Sequence, residues 1–313
     1  GRRSAEIRAT AGAASASPPD PPRIASGAAL RDAPLVPRQA VKKDVNGYAQ
    51  GSAGPAGPAS DAVPDLSVVV PAYDSATFLA DRMTALAELL GSPVGPGCWE
   101  LVVVDDGSRD GTAAVLRSLA LPNLVPVFRP RNGGKFAAVV EGMAAARGRC
   151  RIFTDADVPY DFSSLSRMAD LVLRRGFHLV VGDRTLPGSA YAEDMGLVRR
   201  VATHGFSAFV RLFVTAGLYD TQCGLKAFRG DLAEALFPLL RERGFAGDVE
   251  LLYIALMHNL EIKRVPVRLR YQGRSTVRPM LHAWAMLESL ARIRWRRTRG
   301  LYDSPALTAL SQT

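Results

Sequence analysis

Short continuous apolar runs alternate along the chain with longer segments whose apolar residues recur at helical spacing. The runs are rich in β-branched residues and predict buried strands at residues 66–73 and 99–104 and further strands at residues 124–128 and 151–154. The segments between them predict helices at residues 78–90, 110–119 and 131–146, with Asp74 or Ser75 as N-cap of the first. Buried strands that alternate with helices are typical of an α/β fold, in which helices cover both faces of a mostly parallel sheet.

The alternation weakens in the second half of the chain. Strands are predicted at residues 178–181 and 260–269, and helices at residues 197–214, 251–257 and 280–297. Residues 220–229 match neither pattern, because the segment is too polar for a core strand and too apolar for a solvated loop. The last helix is amphipathic and basic, so it fits either a core helix with a charged rim or a helix on an anionic membrane surface.

The first 63 residues form a separate compositional region. Ala, Pro, Gly and Ser dominate it and no periodic apolar face occurs, so burial cannot offset the entropy cost of ordering the chain. We therefore expect a disordered tail at residues 1–63, one folded domain at 64–278, and a basic C-terminal helix and tail at 279–313.

Composition narrows the classes of protein. The 313 residues, 48% of them hydrophobic, carry a formal net charge of +9, which suits nucleic acid, an anionic membrane surface or anionic substrates. The three cysteines are widely spaced and the four histidines do not repeat at ligand spacing. This argues against a disulfide framework or a cysteine–histidine metal cluster and favours a reducing, cytoplasmic compartment. No apolar stretch reaches the roughly 18–20 residues needed to cross a bilayer.

Two carboxylates, Asp155 and Asp157, follow the fourth predicted strand. In an extended chain, residues two apart point to the same side. Such a pair suits Mg²⁺ or Mn²⁺, which takes oxygen ligands and leaves positions for substrate phosphates. An isolated Asp-x-Asp also occurs in solvated turns. Tyr73 and the pair Asp105-Asp106 also follow predicted strands, however, and parallel sheets bind ligands at the carboxyl ends of their strands.

Two further segments predict ligand contacts. Asp105-Asp106 could accept hydrogen bonds from a nucleobase and a ribose, or it could cap a turn. Gly133-Gly134-Lys135 opens a predicted helix, where the helix dipole and the lysine favour an anion, although a plain helix start is the alternative. The spacing of a Walker-type phosphate loop is absent from this segment.

Many arginines in the second half lie near predicted loops. Arginine binds phosphate bidentately, and although any single one fits a solvated surface, the set beside a metal site indicates two phosphorylated substrates. The set consists of Arg184, Arg199, Arg200, Arg229, Arg268, Arg270, Arg274 and Arg278.

Six segments, taken in order, resemble the family 2 glycosyltransferases with the GT-A fold. The closest resemblance is to their polyprenol-phosphate branch, and within it to the dolichyl-phosphate β-glucosyltransferases. The segments are residues 67–73, 103–108, 132–135, 155–157, 220–226 and 247–252.

The resemblance implies roles for individual residues. Those expected to hold the nucleoside are Pro71, Ala72, Tyr73 and Asp106. Asp155 and Asp157 would hold Mg²⁺ or Mn²⁺ on the donor diphosphate. Arginines expected to grip the lipid and donor phosphates are Arg184, Arg200 and Arg270, and the sugar pocket would be lined by Gln222, Lys226 and Asp248. The residues predicted to be catalytic are Asp157, Asp248, Arg200 and Lys226, while Asp105 and Lys135 join the donor-binding group.

The resemblance also implies an enzyme and its reaction. That reaction is an inverting, metal-dependent transfer of one sugar, with glucose from UDP-glucose favoured, to a polyprenyl monophosphate. The acceptor phosphate is already anionic, so no strong general base is required. We expect the enzyme to be cytoplasmic and peripheral at the inner face of the membrane, or held there by a membrane-anchoring partner.

Three alternatives stay open at this point. Two are enzymes: a GDP-mannose-dependent polyprenyl-phosphate mannosyltransferase, and a family 2 enzyme that acts on another glycolipid or polysaccharide. The third is a nucleic-acid-binding module without catalysis. This last alternative is disfavoured, because the acids at the strand ends would repel nucleic acid.

Overall fold

The computed structural model describes residues 62–92, 95, 97–189, 220–244, 246–269 and 279–312. Its strands are β1 (Leu66–Ala72), β2 (Trp99–Asp105), β3 (Leu124–Phe128), β4 (Cys150–Phe153), β5 (Leu179–Asp183), β6 (Lys226–Arg229) and β7 (Ile262–Pro266). Its helices include α1 (Leu79–Leu90), α2 (Thr112–Ser118), α3 (Lys135–Ala145), α4 (Phe162–Leu173), α5 (Gly230–Leu236), α6 (Gly247–Met257), α7 (Pro279–Thr298) and α8 (Pro305–Leu310).

The seven strands form one sheet in the order β3-β2-β1-β4-β6-β5-β7. All pairings are parallel except the two made by β6, which runs antiparallel to β4 and to β5. Parallel strands place their carboxyl ends at one edge of the sheet. The reversed β6 starts at that same edge, where Lys226 lies opposite Phe153. The segment before β6 therefore meets the residues that follow β4.

Side chains of the central strands divide between two buried cores because successive residues point to opposite faces. Val68 and Val70 pack on one face with α1, α2 and α4, whereas Val69 packs on the other with α3, α5 and α6. Both faces of β1, β2 and β4 are fully covered, which explains their continuous apolar sequences. The predicted α/β fold, with a mostly parallel sheet between two helical layers, is confirmed.

Two details of the sequence prediction were wrong. Helix α1 begins at Leu79 after Phe78, and neither Asp74 nor Ser75 caps it with a side chain. Strand β6 lies inside the segment that matched neither pattern, because its first residue, Lys226, is a fully buried lysine. A buried cation needs a specific charged partner, and the spacing of apolar residues in the sequence does not reveal such an ion pair.

The C-terminal helices pack on the layer formed by α5 and α6. Met286, Leu290 and Ile293 of α7 and Leu307 of α8 belong to its buried core. Within the described residues, no helix is both long enough and apolar enough to cross a membrane. The helix predicted at residues 197–214 lies outside the described residues.

Candidate active site

The centre of the site is the segment that leaves β4 and carries Asp155 and Asp157. The ammonium of Lys135, the first residue of α3, lies 2.5 Å from Asp155 Oδ1. The side chains of Lys135 and Asp155 keep 24% and 33% of their surface exposed, so the pair is accessible from solvent. The predicted Gly-Gly-Lys helix start and the predicted acidic pair thus meet at one point.

The negative charges of the two carboxylates repel each other. Burial raises the pKa of Asp157, and the negative charge of Asp155 raises it further. Burial alone would lower the pKa of Lys135, but the charges of Asp155 and Asp248 outweigh that effect and its pKa is raised. The charges of Lys135 and Arg82 oppose the rise in the pKa of Asp157 without cancelling it, so the site favours additional positive charge. Paired carboxylate oxygens with this charge balance fit a divalent cation such as Mg²⁺ or Mn²⁺.

Two protein carboxylates are a small ligand set. In the part of the chain that the structure describes, no group of three or more His, Cys, Asp or Glu side chains could hold a metal ion. Mg²⁺ characteristically takes only one or two carboxylates and completes its shell with water and substrate phosphates. The residues present therefore fit a cation that keeps several water ligands and can exchange some of them for the phosphate oxygens of a bound ligand.

Asp106 holds the turn that precedes Lys135. Its Oδ1 accepts the backbone N–H of Gly133 at 3.0 Å, and its Oδ2 accepts that of Gly134 at 2.9 Å. Arg129, which sequence reasoning missed, forms an ion pair with the same carboxylate. Asp106 is 2% exposed, so in this arrangement it holds the Gly133-Gly134 turn from the buried side.

The loop after β1 interlocks with the loop after β2. Asp74 Oδ1 accepts the backbone N–H of Arg109 at 2.8 Å, and Ser108 Oγ accepts that of Asp74 at 3.0 Å. Asp105 is buried and accepts the N–H of Ser108 at 3.2 Å. Tyr73 stands 42% exposed at the rim of this double loop, whereas Pro71 and Ala72 are buried at the end of β1. Tyr73 is the aromatic side chain among these residues and offers an exposed ring for a stacked ligand.

Arg184, at the end of β5, makes a bidentate ion pair with Asp220. Nε donates to Oδ2 at 2.7 Å and Nη2 donates to Oδ1 at 2.8 Å. Burial opposes ionisation of Asp220, but hydrogen bonds from Arg184 and its charge lower the pKa overall. The arginine side chain is still 32% exposed. Arg184 thus joins β5 to the segment before β6 and keeps part of its surface at the sheet edge.

A second lysine–aspartate pair, Lys226 and Asp248, lies beneath the pair of Lys135 and Asp155. Lys226 and Asp248 form an ion pair and are 0% and 2% exposed, respectively. The ammonium of Lys226 also donates to the carbonyl oxygen of Cys223 at 2.7 Å and lies 5.4 Å from the ring centre of Phe153. These two side chains lie beneath the site in this structure. Gln222, in the segment before β6, is half-buried.

Arg200 and Arg270, both predicted to contact phosphates, lie outside the described residues. The structure also brings Tyr160, Cys223 and Gly224 against Asp155 and its neighbours, and sequence reasoning assigned no role to them. Two signals were available: Tyr160 lies close in sequence to the acidic pair, and Cys223 and Gly224 lie in the family-like segment 220–226.

The fold and this site define an α/β protein in which the acidic pair Asp155/Asp157 meets Lys135 at the carboxyl edge of a mostly parallel sheet. The sequence pattern of glycosyl transferase family 2 matches residues 67–237. The chain belongs to this family and is an enzyme that transfers a sugar.

Two relatives illustrate the sequence similarity. A dolichyl-phosphate β-glucosyltransferase from Dictyostelium discoideum is 30% identical over 248 residues, or 76% of this chain and 76% of the relative. A protein of the same name from Drosophila melanogaster is 33% identical over 217 residues, or 65% of this chain and 66% of the relative.

Solved structures share the fold at lower identity. Mannosyl-3-phosphoglycerate synthase from Rubrobacter xylanophilus aligns with a TM-score of 0.54 at 20% identity, covering 76% of both chains. Glucosyl-3-phosphoglycerate synthase from Mycobacterium tuberculosis, solved with Mn²⁺, UDP and phosphoglyceric acid, gives 0.54 at 20% identity, covering 75% of this chain and 78% of that one. These likenesses concern the fold alone and confirm the predicted GT-A architecture.

Proposed function

We propose that this enzyme transfers a hexose, with glucose favoured, from UDP-glucose to a polyprenyl monophosphate such as dolichyl phosphate. The observation that carries the proposal is the acidic pair Asp155/Asp157, which meets Lys135 at the carboxyl edge of the sheet. The relatives named as dolichyl-phosphate β-glucosyltransferases support the choice of sugar and acceptor.

Asp155 and Asp157 would hold Mg²⁺ or Mn²⁺ against the donor diphosphate. A bound divalent cation neutralises the charge that develops on the leaving diphosphate. Lys135, at the start of α3, adds a second positive charge at the same point and lies at a helix N-terminus that favours anions. Structural neighbours solved with Mn²⁺ and UDP, or with Mg²⁺ and UDP, are consistent with this assignment.

The transfer would proceed with inversion in a single displacement. An oxygen of the acceptor phosphate forms the new bond to the anomeric carbon while the bond from that carbon to the donor diphosphate breaks. The phosphate is an anion near neutral pH and needs no base to remove a proton. Catalysis then rests on holding the two reactants in line and on stabilising the diphosphate.

The basic groups divide between the two substrates in this proposal. Arg184 lies at the end of β5, across β6 from Asp155, where it would face the acceptor side of the site. Arg200 and Arg270 remain proposed phosphate ligands on the family resemblance. Lys226 and Asp248, which are buried, would act on the site through Cys223 and Lys135 instead of touching the sugar.

The acceptor lipid places the enzyme at a membrane, and we propose that it works on the cytoplasmic face. A strip on α7 and the turn after it suits an anionic bilayer surface. Trp295, Leu287 and Leu301 are 55%, 40% and 49% exposed there, and Arg294 and Arg299 are exposed beside them. Aromatic and aliphatic side chains flanked by cations are typical of a helix lying in a membrane interface.

The donor can be tested by thermal stabilisation with UDP-glucose and with GDP-mannose, each with and without Mn²⁺. We expect a metal-dependent rise in melting temperature with UDP-glucose alone. A rise with GDP-mannose alone would replace the donor and favour a mannosyltransferase. Stabilisation by neither donor would contradict the proposed donor site.

The acceptor is tested separately by following radiolabelled sugar. We expect transfer to a short polyprenyl phosphate and none to 3-phosphoglycerate, the acceptor suggested by the names of the structural neighbours. Asp157→Asn should abolish transfer, whereas Asp231→Asn, at a half-exposed surface acid on α5, should leave it unchanged. Transfer to 3-phosphoglycerate alone would overturn the lipid acceptor.

A further inference from the structure

Gly224 lies against the carboxylate of Asp155. A Cβ atom at position 224 would fall 1.9 Å from Asp155 Oδ2 and 2.7 Å from its Cγ. The φ angle of Gly224 is not positive, so backbone freedom does not explain the glycine. The reason is steric: the carboxylate occupies the space that any larger side chain would need. The backbone at residue 224 therefore packs directly against the carboxylate of Asp155.

Two buried side chains hold the backbone of Cys223 and Gly224 in place. The hydroxyl of Tyr160 accepts the N–H of Gly224 at 2.9 Å. Lys226 donates to the carbonyl oxygen of Cys223 at 2.7 Å and is itself fixed by its ion pair with Asp248. Tyr160 is 6% exposed, so its hydrogen bond to Gly224 is shielded from water.

Tyr160 also ends the loop that carries the two carboxylates. Within this loop Val158 has a φ of 45°, which is uncommon for a β-branched residue. The N–H of Val158 donates to the carbonyl oxygen of Asp155 at 2.9 Å and closes a tight turn. Strained backbone of this kind persists only where its surroundings fix it. At the end of the loop, Tyr160 supplies that restraint by bonding to Gly224 and by a bridge to Leu269.

We propose that Tyr160 and Gly224 are positioning residues that set the carboxylate of Asp155 for a divalent cation. Tyr160 closes the acidic loop onto the backbone of residue 224, and that backbone limits where the Asp155 side chain can turn. Neither residue would contact the sugar. The inference rests on the proposed function, because it assumes that Asp155 and Asp157 hold the cation.

The test measures binding of Mn²⁺ to the full chain by electron paramagnetic resonance, without donor or acceptor. Tyr160→Phe removes one hydroxyl and keeps the ring in its core. The Tyr160 hydroxyl bonds to the backbone beside Asp155 and not to the carboxylate itself, so we expect a loss of Mn²⁺ affinity of roughly 10-fold, the lower end of the range typical for outer-shell partners of a metal site. Gly224→Ala should weaken binding at least as much, because its Cβ displaces the carboxylate.

Tyr302→Phe is the matched control. Tyr302 is also fully buried, and its hydroxyl donates to Glu250 at 2.5 Å in the C-terminal region. We expect this variant to lower the melting temperature and leave Mn²⁺ affinity within twofold of the wild type. Comparable loss of affinity in both tyrosine variants would attribute the effect to general destabilisation and overturn the inference.

Asp157→Asn separates failure of the inference from failure of the proposed function. If it abolishes Mn²⁺ binding while Tyr160→Phe does not change it, the positioning role is wrong and the metal site stands. If Mn²⁺ binding survives Asp157→Asn, the assigned metal site is wrong and the inference falls with it. Loss of binding in Asp157→Asn, Tyr160→Phe and Gly224→Ala, with Tyr302→Phe unaffected, supports both.

Discussion

At the scale of single residues, the site is organised by how charges neutralise one another. Asp155 has Lys135 at 2.5 Å, whereas the pKa of Asp157 is raised by burial and by its acidic neighbour. The ionised form of Asp157 is therefore disfavoured, and additional positive charge beside it would stabilise that form. The charges of Lys135 and Arg82 do not fully offset these effects at Asp157, so the pair is suited to a divalent metal.

Replacing Asp157 by Asn should remove activity and preserve the fold. The change keeps the side-chain shape and removes a charge that burial and Asp155 disfavour, so we expect the free energy of unfolding to be unchanged or slightly higher. Sugar transfer in the presence of Mn²⁺ is the first measurement and urea unfolding is the second. Activity near the wild-type level would show that the metal ligands lie elsewhere.

The buried pair of Lys226 and Asp248 supports the site through stability. Lys226→Met should lower the free energy of unfolding by about 3–5 kcal/mol, because it leaves the buried carboxylate without its cation. Replacing both partners, with Lys226→Met and Asp248→Leu together, should recover most of that loss, since no buried charge then remains. Urea unfolding of the single and double variants measures both values. Losses below 1 kcal/mol in the single variant would indicate that water reaches the pair.

At the scale of elements, α7 has two different faces. Its inner face packs Met286, Leu290 and Ile293 into the core. At its rim, Arg292 and Arg296 pair with Glu242 at 3.0 and 2.7 Å. Its outer face presents apolar side chains among cations. The two faces explain why the sequence fitted both a core helix and a membrane helix: α7 is anchored on one side and open on the other.

The outer face of α7 should bind anionic vesicles. We expect the double variant Trp295→Ala/Arg299→Ala to sediment less with vesicles of phosphatidylcholine and phosphatidylserine, because the pair supplies an exposed indole and a cation lying 5.2 Å from its ring. Salt should weaken wild-type binding to these vesicles, and phosphatidylcholine alone should bind little.

A second cation–aromatic pair provides the control for this experiment. Lys263 lies 5.5 Å from the ring of Phe177, near the amino ends of β5 and β7 and outside α7. Lys263→Ala should leave vesicle binding unchanged. Equal losses of vesicle binding in the α7 variant and the Lys263 variant would show that net charge alone explains the binding. That outcome would contradict a defined membrane-binding face.

At the scale of the whole molecule, ion pairs join segments that are distant in sequence. Arg292 joins α7 to Glu242, which precedes α6, and Arg184 joins β5 to Asp220. Burial raises the pKa of Glu242, but hydrogen bonds from Arg292 and Ser289 and nearby arginine charge bring it below the ordinary 4.5. The pKa of Asp220 lies below 3.8 for the same reasons, with Arg184 as partner.

These lowered pKa values predict sensitivity to acid. A carboxylate whose folded-state pKa is lowered contributes stability that is present above its ordinary pKa and lost as the pH falls through the lowered value. We therefore expect the free energy of unfolding to decline once the pH drops below the ordinary value of 4.5 for Glu242. Glu242→Gln should be less stable than the wild type at neutral pH, with the two curves converging in acid. Curves that stay parallel from neutral pH to pH 3 would contradict a contribution from Glu242.

The parts of the fold that the sequence predicted share one physical property. Strands β1, β2 and β4 and helices α1 to α3 are built from local runs whose apolar spacing matches their burial, so pattern alone located them. The edge strand β3 was also located by its apolar run, although it is only partly buried. Strand β6 was missed because the burial of Lys226 depends on Asp248, which lies 22 residues away. The proposed cap of α1 failed because Asp74 bonds across to Arg109 and not along its own helix.

The sequence by itself determined the α/β class, the family and the acidic pair, because spacing and residue type are local properties that need no knowledge of long-range contacts. Only the tertiary structure decided that Lys135 pairs with Asp155, that Asp106 shapes the glycine turn, and that Gly224 stands behind the acidic loop. Each of these contacts joins residues at least 20 positions apart at one edge of the sheet. Strand order and direction bring them together, and the reversed β6 in particular places residues 220–226 beside the end of β4.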